Sequence, residues 1–153
     1  MTYIDRVDTP CGLWEITATD TAVCSVTNKL SAKTIRSNGV CEAAKKQLTE
    51  YFVGKRQTFT LLLDLKGTLF QKQVWDALTG IPYGKSVSYT QIAEQIGRPA
   101  AVRAVAQAIS KNPCLILVPC HRVLGKNGTL TGFSAGLDIK IELLKLEKIN
   151  WKE

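Results

Sequence analysis

Histidine is almost missing from this chain: His121 is alone among 153 residues, and the five cysteines (Cys11, Cys24, Cys41, Cys114, Cys120) show no CxxC spacing. Neither a standard zinc site nor a closed disulfide framework is therefore indicated. No apolar run approaches the roughly 20 residues of a membrane span, and Met1-Thr2-Tyr3-Ile4-Asp5 is neither a basic leader nor an apolar signal core. Reduced thiols and these N-terminal residues lead us to expect a cytoplasmic protein without a membrane partner. Acidic residues are also in deficit, 13 against 20 basic ones, for a net charge of +7. That balance favours a polyanionic partner, although many proteins that bind none share it. Repeats and low-complexity tracts are absent. The 45% of hydrophobic residues supply an ordinary core, enough for one domain or two small ones.

What is present reads as two halves. Thr2 to Val7 predicts a strand, Thr9-Pro10-Cys11-Gly12 a turn, Leu13 to Ala18 a second strand, and Ala22 to Val26 a third. After a loop from Asn28 to Gly39, Ala44, Leu48 and Phe52 fall at helical spacing, so a helix over Val40 to Phe52 should cover one face of the sheet. This half offers no chemistry and looks like support. A boundary near Gly67 is expected, dividing the chain into residues 1–66 and 67–153, because a new helical pattern begins there with Phe70, Val74, Trp75 and Leu78.

Ser88-Tyr89-Thr90-Gln91 has the form of a capping box and opens a short helix that Gly97 ends. Pro99 suits the first position of a following helix running to about Ser110. Two short helices joined by Gly-Arg-Pro resemble a helix-turn-helix. On the second helix Val102, Val105, Ala106 and Ile109 form the expected core face. Arg103, Gln107, Ser110 and Lys111 lie across it, with Ala100, Ala104 and Ala108 keeping the outward side low. Arg103 is then either a solvated surface charge or the long cation that enters a groove.

The apolar run Leu115-Ile116-Leu117-Val118 predicts a buried strand that Pro119 ends, delivering Cys120 to a pocket. A free thiol is only a few per cent ionised near neutrality and needs a neighbour to take its proton. His121 can do so, although adjacent residues on an extended segment point to opposite sides and most buried cysteines are inert. Two glycine-rich loops follow, Gly125 to Gly128 and Gly132 to Gly136, without phosphate-loop or dinucleotide spacing. A last helix from Leu137 to about Ile149 carries Glu147 in its final turn, against the helix dipole. Either Lys145 and Lys148 compensate that carboxylate, or it orients His121.

Taken in order, Val74-Trp75, Ile81-Pro82-Tyr83-Gly84, Ser88-Tyr89, Arg103-Ala104-Val105, Asn112-Pro113, Pro119-Cys120-His121-Arg122-Val123, Gly132-Phe133 and Lys140 through Leu144 to Glu147 closely resemble the O6-alkylguanine-DNA alkyltransferases. The resemblance covers residues 70–147; the N-terminal half matches only in layout. It implies an α+β fold, in which a small N-terminal antiparallel sheet with a covering helix precedes a mainly helical C-terminal domain containing a winged-helix-like helix-turn-helix. It implies a methylated-DNA-[protein]-cysteine S-methyltransferase that moves the alkyl group of O6-alkylguanine irreversibly onto Cys120 in a single turnover. His121 would be the base through a water, Glu147 would orient His121, and Asn112 would tie the active-site turn.

By the same resemblance, the second helix binds the minor groove of double-stranded DNA carrying O6-alkylguanine, and Arg103 fills the gap left by the flipped nucleotide. Tyr89 aligns with the tyrosine at the adjacent phosphate, Arg98, Ala104 and Gln107 with DNA-facing positions. The carbonyls of Cys120 and Val123 and the residue Ser134 would read the guanine edge. Phe133 would line the pocket where the family often has tyrosine. Neither cofactor nor metal is implied, and a monomer is expected. A cysteine hydrolase would share the thiol and histidine but turn over. A helix-turn-helix regulator would prefer a sequence and ignore lesions, and a non-catalytic lesion binder would lack Cys120.

Overall fold

The computed structural model describes residues 1–153 and is α+β, built of two compact units. The first comprises Met1–Lys66 with Pro113–Leu115. Its sheet has the order β1-β2-β3, with β1 at Tyr3–Thr9, β2 at Gly12–Ala18 and β3 at Val23–Thr27, all antiparallel. The hairpin register pairs Tyr3 with Ala18 and Thr9 with Gly12, and Gly12 supplies the positive φ of 96° that the turn needs. Trp14, Ile16, Ala18, Val23 and Val26 are buried and face α1, Gly39–Phe52, through Cys41, Ala44, Leu48 and Tyr51. Asn38 caps α1 by accepting from the Cys41 backbone N–H at 2.9 Å.

Residues 113–115 add a short parallel bridge to β3: the Val26 N–H donates to the Pro113 carbonyl, and the Leu115 N–H to that of Val26. The strand expected over Leu115 to Val118 does not form. All four residues are buried, but Ile116 has φ 73°, and a β-branched residue in the left-handed region breaks any extended ladder. The run is apolar because it is enclosed, not because it is paired.

The second unit, Gly67–Asn112 with Ile116–Glu153, carries the rest. Thr68 and Gln71 form a capping box that starts α2, Leu69–Thr79. A Cβ on Gly67 would stand 2.6 Å from the Trp75 ring, so only glycine lets the chain enter α2 here. Trp75 is core as expected, and its indole N–H donates to the Ala108 carbonyl at 2.8 Å. The expected capping box of Ser88 and Gln91 opens α3, Tyr89–Gln95.

The next helix, α4, spans Val102–Ser110. It starts later than Pro99 because residues 98–101 close a tight turn, with the Ala101 N–H donating to the Arg98 carbonyl at 2.9 Å. Ala108 lies on the buried side, against the expectation of an outward face, whereas Arg103, Ala104 and Gln107 are exposed. Two strands went unforeseen, β4 at Val87–Ser88 and β5 at Val123–Leu124, parallel to each other and too short to show alternation.

The last helix, α5, covers Leu137–Leu146 and ends earlier than expected. Lys148 takes φ 59°, and the Lys148 and Ile149 N–H groups return to the Lys145 and Leu144 carbonyls in a Schellman closure. Glu147 thereby becomes the C-cap rather than part of a final helical turn. No helix is long and apolar enough to cross a membrane.

Candidate active site

The site forms on a short 3-10 turn, Cys120–Arg122, between Pro119 and β5. The Cys120 N–H turns back onto the Val118 carbonyl at 2.8 Å, and Asn112 Nδ2 donates to the same carbonyl at 2.9 Å. Asn112 follows directly on α4, its own N–H donating to the Ile109 carbonyl at 3.1 Å. One side chain thus ties the end of α4 to the segment before Cys120.

Cys120, His121 and Arg122 are all buried. The Glu147 carboxylate collects this turn from the other side: Oε2 accepts from His121 Nε2 at 2.6 Å and from Arg122 Nη2 at 3.1 Å. Its Oε1 accepts from Arg122 Nε at 2.8 Å and from the Gly84 N–H at 3.0 Å. Arg122 also donates to the Ile81 carbonyl at 2.6 Å and lies 5.7 Å from the Tyr83 ring centroid. Burial pushes the Glu147 carboxyl up, but His121, Arg122 and the Gly84 N–H outweigh it and hold it at about 2. An ionised carboxylate only accepts, so His121 carries its proton on Nε2 and keeps the Nδ1 lone pair. Burial lowers the His121 pKa despite Glu147, which keeps the imidazole neutral and able to take a proton.

Compensation for Glu147 comes from Arg122; Lys145 instead pairs loosely with Glu142 at 3.9 Å. Arg122→Leu is expected to cost about 3–5 kcal/mol by leaving a buried charge short of its main partner, a loss that urea unfolding would measure. Because Glu147 titrates in the fold below its ordinary 4.5, its contribution is complete above that pH and is lost as pH falls through about 2.

Beside the turn opens a cavity of about 360 Å³ lined by Tyr89, Ala106, Ile109, Ser110, Cys120, Gly132, Phe133 and Ser134. Cys120 therefore meets Tyr89, Phe133 and Ser134 in one place. Burial raises the Cys120 thiol to about 11, although a hydrogen bond with the Asn112 side chain and the charge of Lys140 pull it down. Val123 is fully buried in β5, and its carbonyl accepts from Lys140 Nζ at 2.8 Å. Arg98, Arg103, Ala104 and Gln107 are exposed along the α3–α4 turn and α4, outside the cavity wall, with Arg98 stacked 5.8 Å from the Phe70 ring centroid.

Sequence reasoning missed two charged residues, Arg122 and Lys140, because cations are normally solvated. The available signal was position: Arg122 directly follows the sole histidine, and Lys140 lies seven residues before Glu147 on the last helix.

Residues 69–149 match the family model for the DNA-binding domain of 6-O-methylguanine DNA methyltransferase. The constitutive methylated-DNA–protein-cysteine methyltransferase of Bacillus subtilis is 56% identical over 111 residues, which are 72% of this chain and 67% of that protein. The Mycobacterium leprae protein of the same name is 53% identical over 111 residues, with the same shares of 72% and 67%. Among solved structures, that of Mycobacterium tuberculosis OGT in complex with DNA superposes with a TM-score of 0.89 at 41% identity, covering 95% of this chain and 92% of that one. The chain belongs to the methylated-DNA–protein-cysteine methyltransferase family.

Proposed function

We propose that this protein repairs double-stranded DNA by moving the alkyl group of O6-alkylguanine onto Cys120, and that each molecule does so once. The observation that carries this reading is the placement of Cys120 on the wall of a base-sized cavity, with His121 and Glu147 fixed behind it. A buried thiol raised to about 11 is almost wholly protonated at neutral pH. Attack therefore needs the proton removed as the bond forms. The Cys120 Sγ forms a bond to the alkyl carbon while the carbon–O6 bond breaks, and its electron pair stays with guanine. The thiol proton passes through a water to His121 Nδ1, and Glu147 stabilises the imidazolium that results.

Asn112 holds the turn, and Phe133, Ser134 and the carbonyls of Cys120 and Val123 receive the base, as does Tyr89, expected at the adjacent phosphate but lining the cavity. Phe133 supplies a wall but no hydroxyl. A thioether sulfur is a poor leaving group, so the alkylated protein is the end product. The net charge of +7 suits a polyanion. We place the reaction in the cytoplasm, whose reducing poise keeps the thiol available, and assign it to a monomer, since one chain supplies the whole cavity. With the duplex lesion in excess, product should plateau at one equivalent of protein. Continued turnover would instead favour a cysteine hydrolase.

Arg103 we assign to the space vacated by a nucleotide flipped through the minor groove, with Arg98, Ala104 and Gln107 along the backbone. Arg103 is exposed on α4, beside Ala104, which leaves the helix low enough to enter. An inserted guanidinium offsets part of the few kcal/mol that unstacking costs. Arg103→Ala should thus slow repair of duplex far more than reaction with free O6-benzylguanine. The check is the mutant-to-parent rate ratio on duplex divided by that on the free base. A quotient near one would leave Arg103 an ordinary surface charge, and an equal loss of binding to damaged and undamaged DNA would make it a phosphate clamp.

A further inference from the structure

We propose that Thr131 is a positioning residue that passes the donation of Lys140 on to the Tyr89 hydroxyl and so aims the Tyr89 proton into the cavity; this rests on the function proposed above. Three groups stand in series. Lys140 Nζ donates to Thr131 Oγ1 at 3.0 Å and to the Val123 carbonyl at 2.8 Å, and Thr131 Oγ1 lies 2.8 Å from the Tyr89 hydroxyl. Lys140 is buried on α5, and Tyr89 opens α3 and lines the cavity with Cys120.

An ammonium only donates, so Thr131 Oγ1 accepts from Lys140; either hydroxyl can donate in the Thr131–Tyr89 contact, and the proposed direction is the one in which Thr131 gives its hydrogen to the Tyr89 oxygen. The Tyr89 proton is then released toward the cavity. Lys140, lowered by burial to about 8, is still mostly ammonium at neutral pH. Donors in series polarise one another, so Tyr89 becomes a stronger donor than an isolated phenol.

Thr131 is held for this task. A Cβ on Gly125 would stand 2.9 Å from the Thr131 Cγ2. The methyl thus seats against Gly125, where any Cβ would crowd it, and the hydroxyl faces Tyr89 and Lys140. The need for such a donor lies in the reaction, because guanine takes on negative charge as the carbon–O6 bond breaks. A hydroxyl aimed at an acceptor of the departing base stabilises that charge.

The test uses the full chain and duplex carrying O6-methylguanine, with single-turnover rates for the parent, Thr131→Val, Thr131→Ser, Tyr89→Phe and the Thr131→Val/Tyr89→Phe double variant. Thr131→Val keeps the shape and should slow transfer about tenfold, the worth of a charge-assisted hydrogen bond. Thr131→Ser restores the hydroxyl and should stay within about threefold of the parent. In the Tyr89→Phe background, Thr131→Val should add no further loss, since its effect passes through the missing hydroxyl. Independent losses that multiply in the double variant, or a serine variant as slow as the valine one, would overturn the proposal and leave Thr131 a packing residue. If Thr131→Val fails to fold, the serine variant compared with Thr131→Ala decides by the same criterion. Absence of transfer by the parent itself would overturn the proposed function instead.

Discussion

Cys120→Ser is expected to abolish alkyl transfer while leaving affinity for duplex carrying O6-methylguanine close to that of the parent. The two side chains occupy nearly the same volume, so the cavity that Cys120 shares with Tyr89, Phe133 and Ser134 should keep its shape. The difference is chemical. A serine hydroxyl is far less acidic than a thiol and less nucleophilic, and a neutral imidazole that can draw a proton from sulfur during attack cannot do so usefully from that oxygen. Binding, by contrast, is assigned to exposed residues of α4 and to the shape of the cavity, which an isosteric substitution at Cys120 keeps. A gel-shift series and a transfer assay on the same preparation separate the two effects. Methyl transfer by the serine variant would remove Cys120 from the reaction.

His121→Ala should slow transfer by roughly 10²–10⁴-fold, the usual worth of a positioned general base. The size follows from how completely the histidine is fixed. Glu147 accepts from Nε2 at 2.6 Å and is itself held by Arg122 and the Gly84 N–H, leaving Nδ1 as the basic atom. With the thiol at about 11, little reaction can proceed through the free thiolate, so the loss of the base is not masked. The pH profile gives a second reading. Burial lowers the His121 pKa, so the parent should hold its rate below the ordinary histidine value of 6.5 and lose it only in more acidic solution. The alanine variant should lack that acidic limb. A variant rate within a factor of two of the parent would exclude His121 from proton transfer.

Much of this arrangement was legible in the chain because its parts carry local chemistry. The strands of the first unit announce themselves by β-branched residues between turns, and the box at Ser88 by polar side chains at fixed spacing. Cys120 and His121 stand out because histidine occurs once. Other features depend on what distant residues do. Ile116 in the left-handed region is invisible in an apolar run, since the pattern reports burial and not φ. Pro99 fits a first helical turn by itself, but the Ala101-to-Arg98 bond starts α4 at Val102. Arg122 and Lys140 were hidden for the opposite reason. Their types predict solvent, and only the fold brings a carboxylate to one and a hydroxyl and a carbonyl to the other.

The central claim is that the alkyl group ends on Cys120, and intact-mass measurement followed by peptide mapping tests it most directly. After incubation with duplex carrying O6-methylguanine, the protein should gain the mass of one CH₂ and no more, confined to the peptide containing Cys120, while the DNA yields unmodified guanine in equal amount. An unchanged protein mass with the lesion lost, or a methyl group on Cys24, Cys114 or any other residue, would contradict the account.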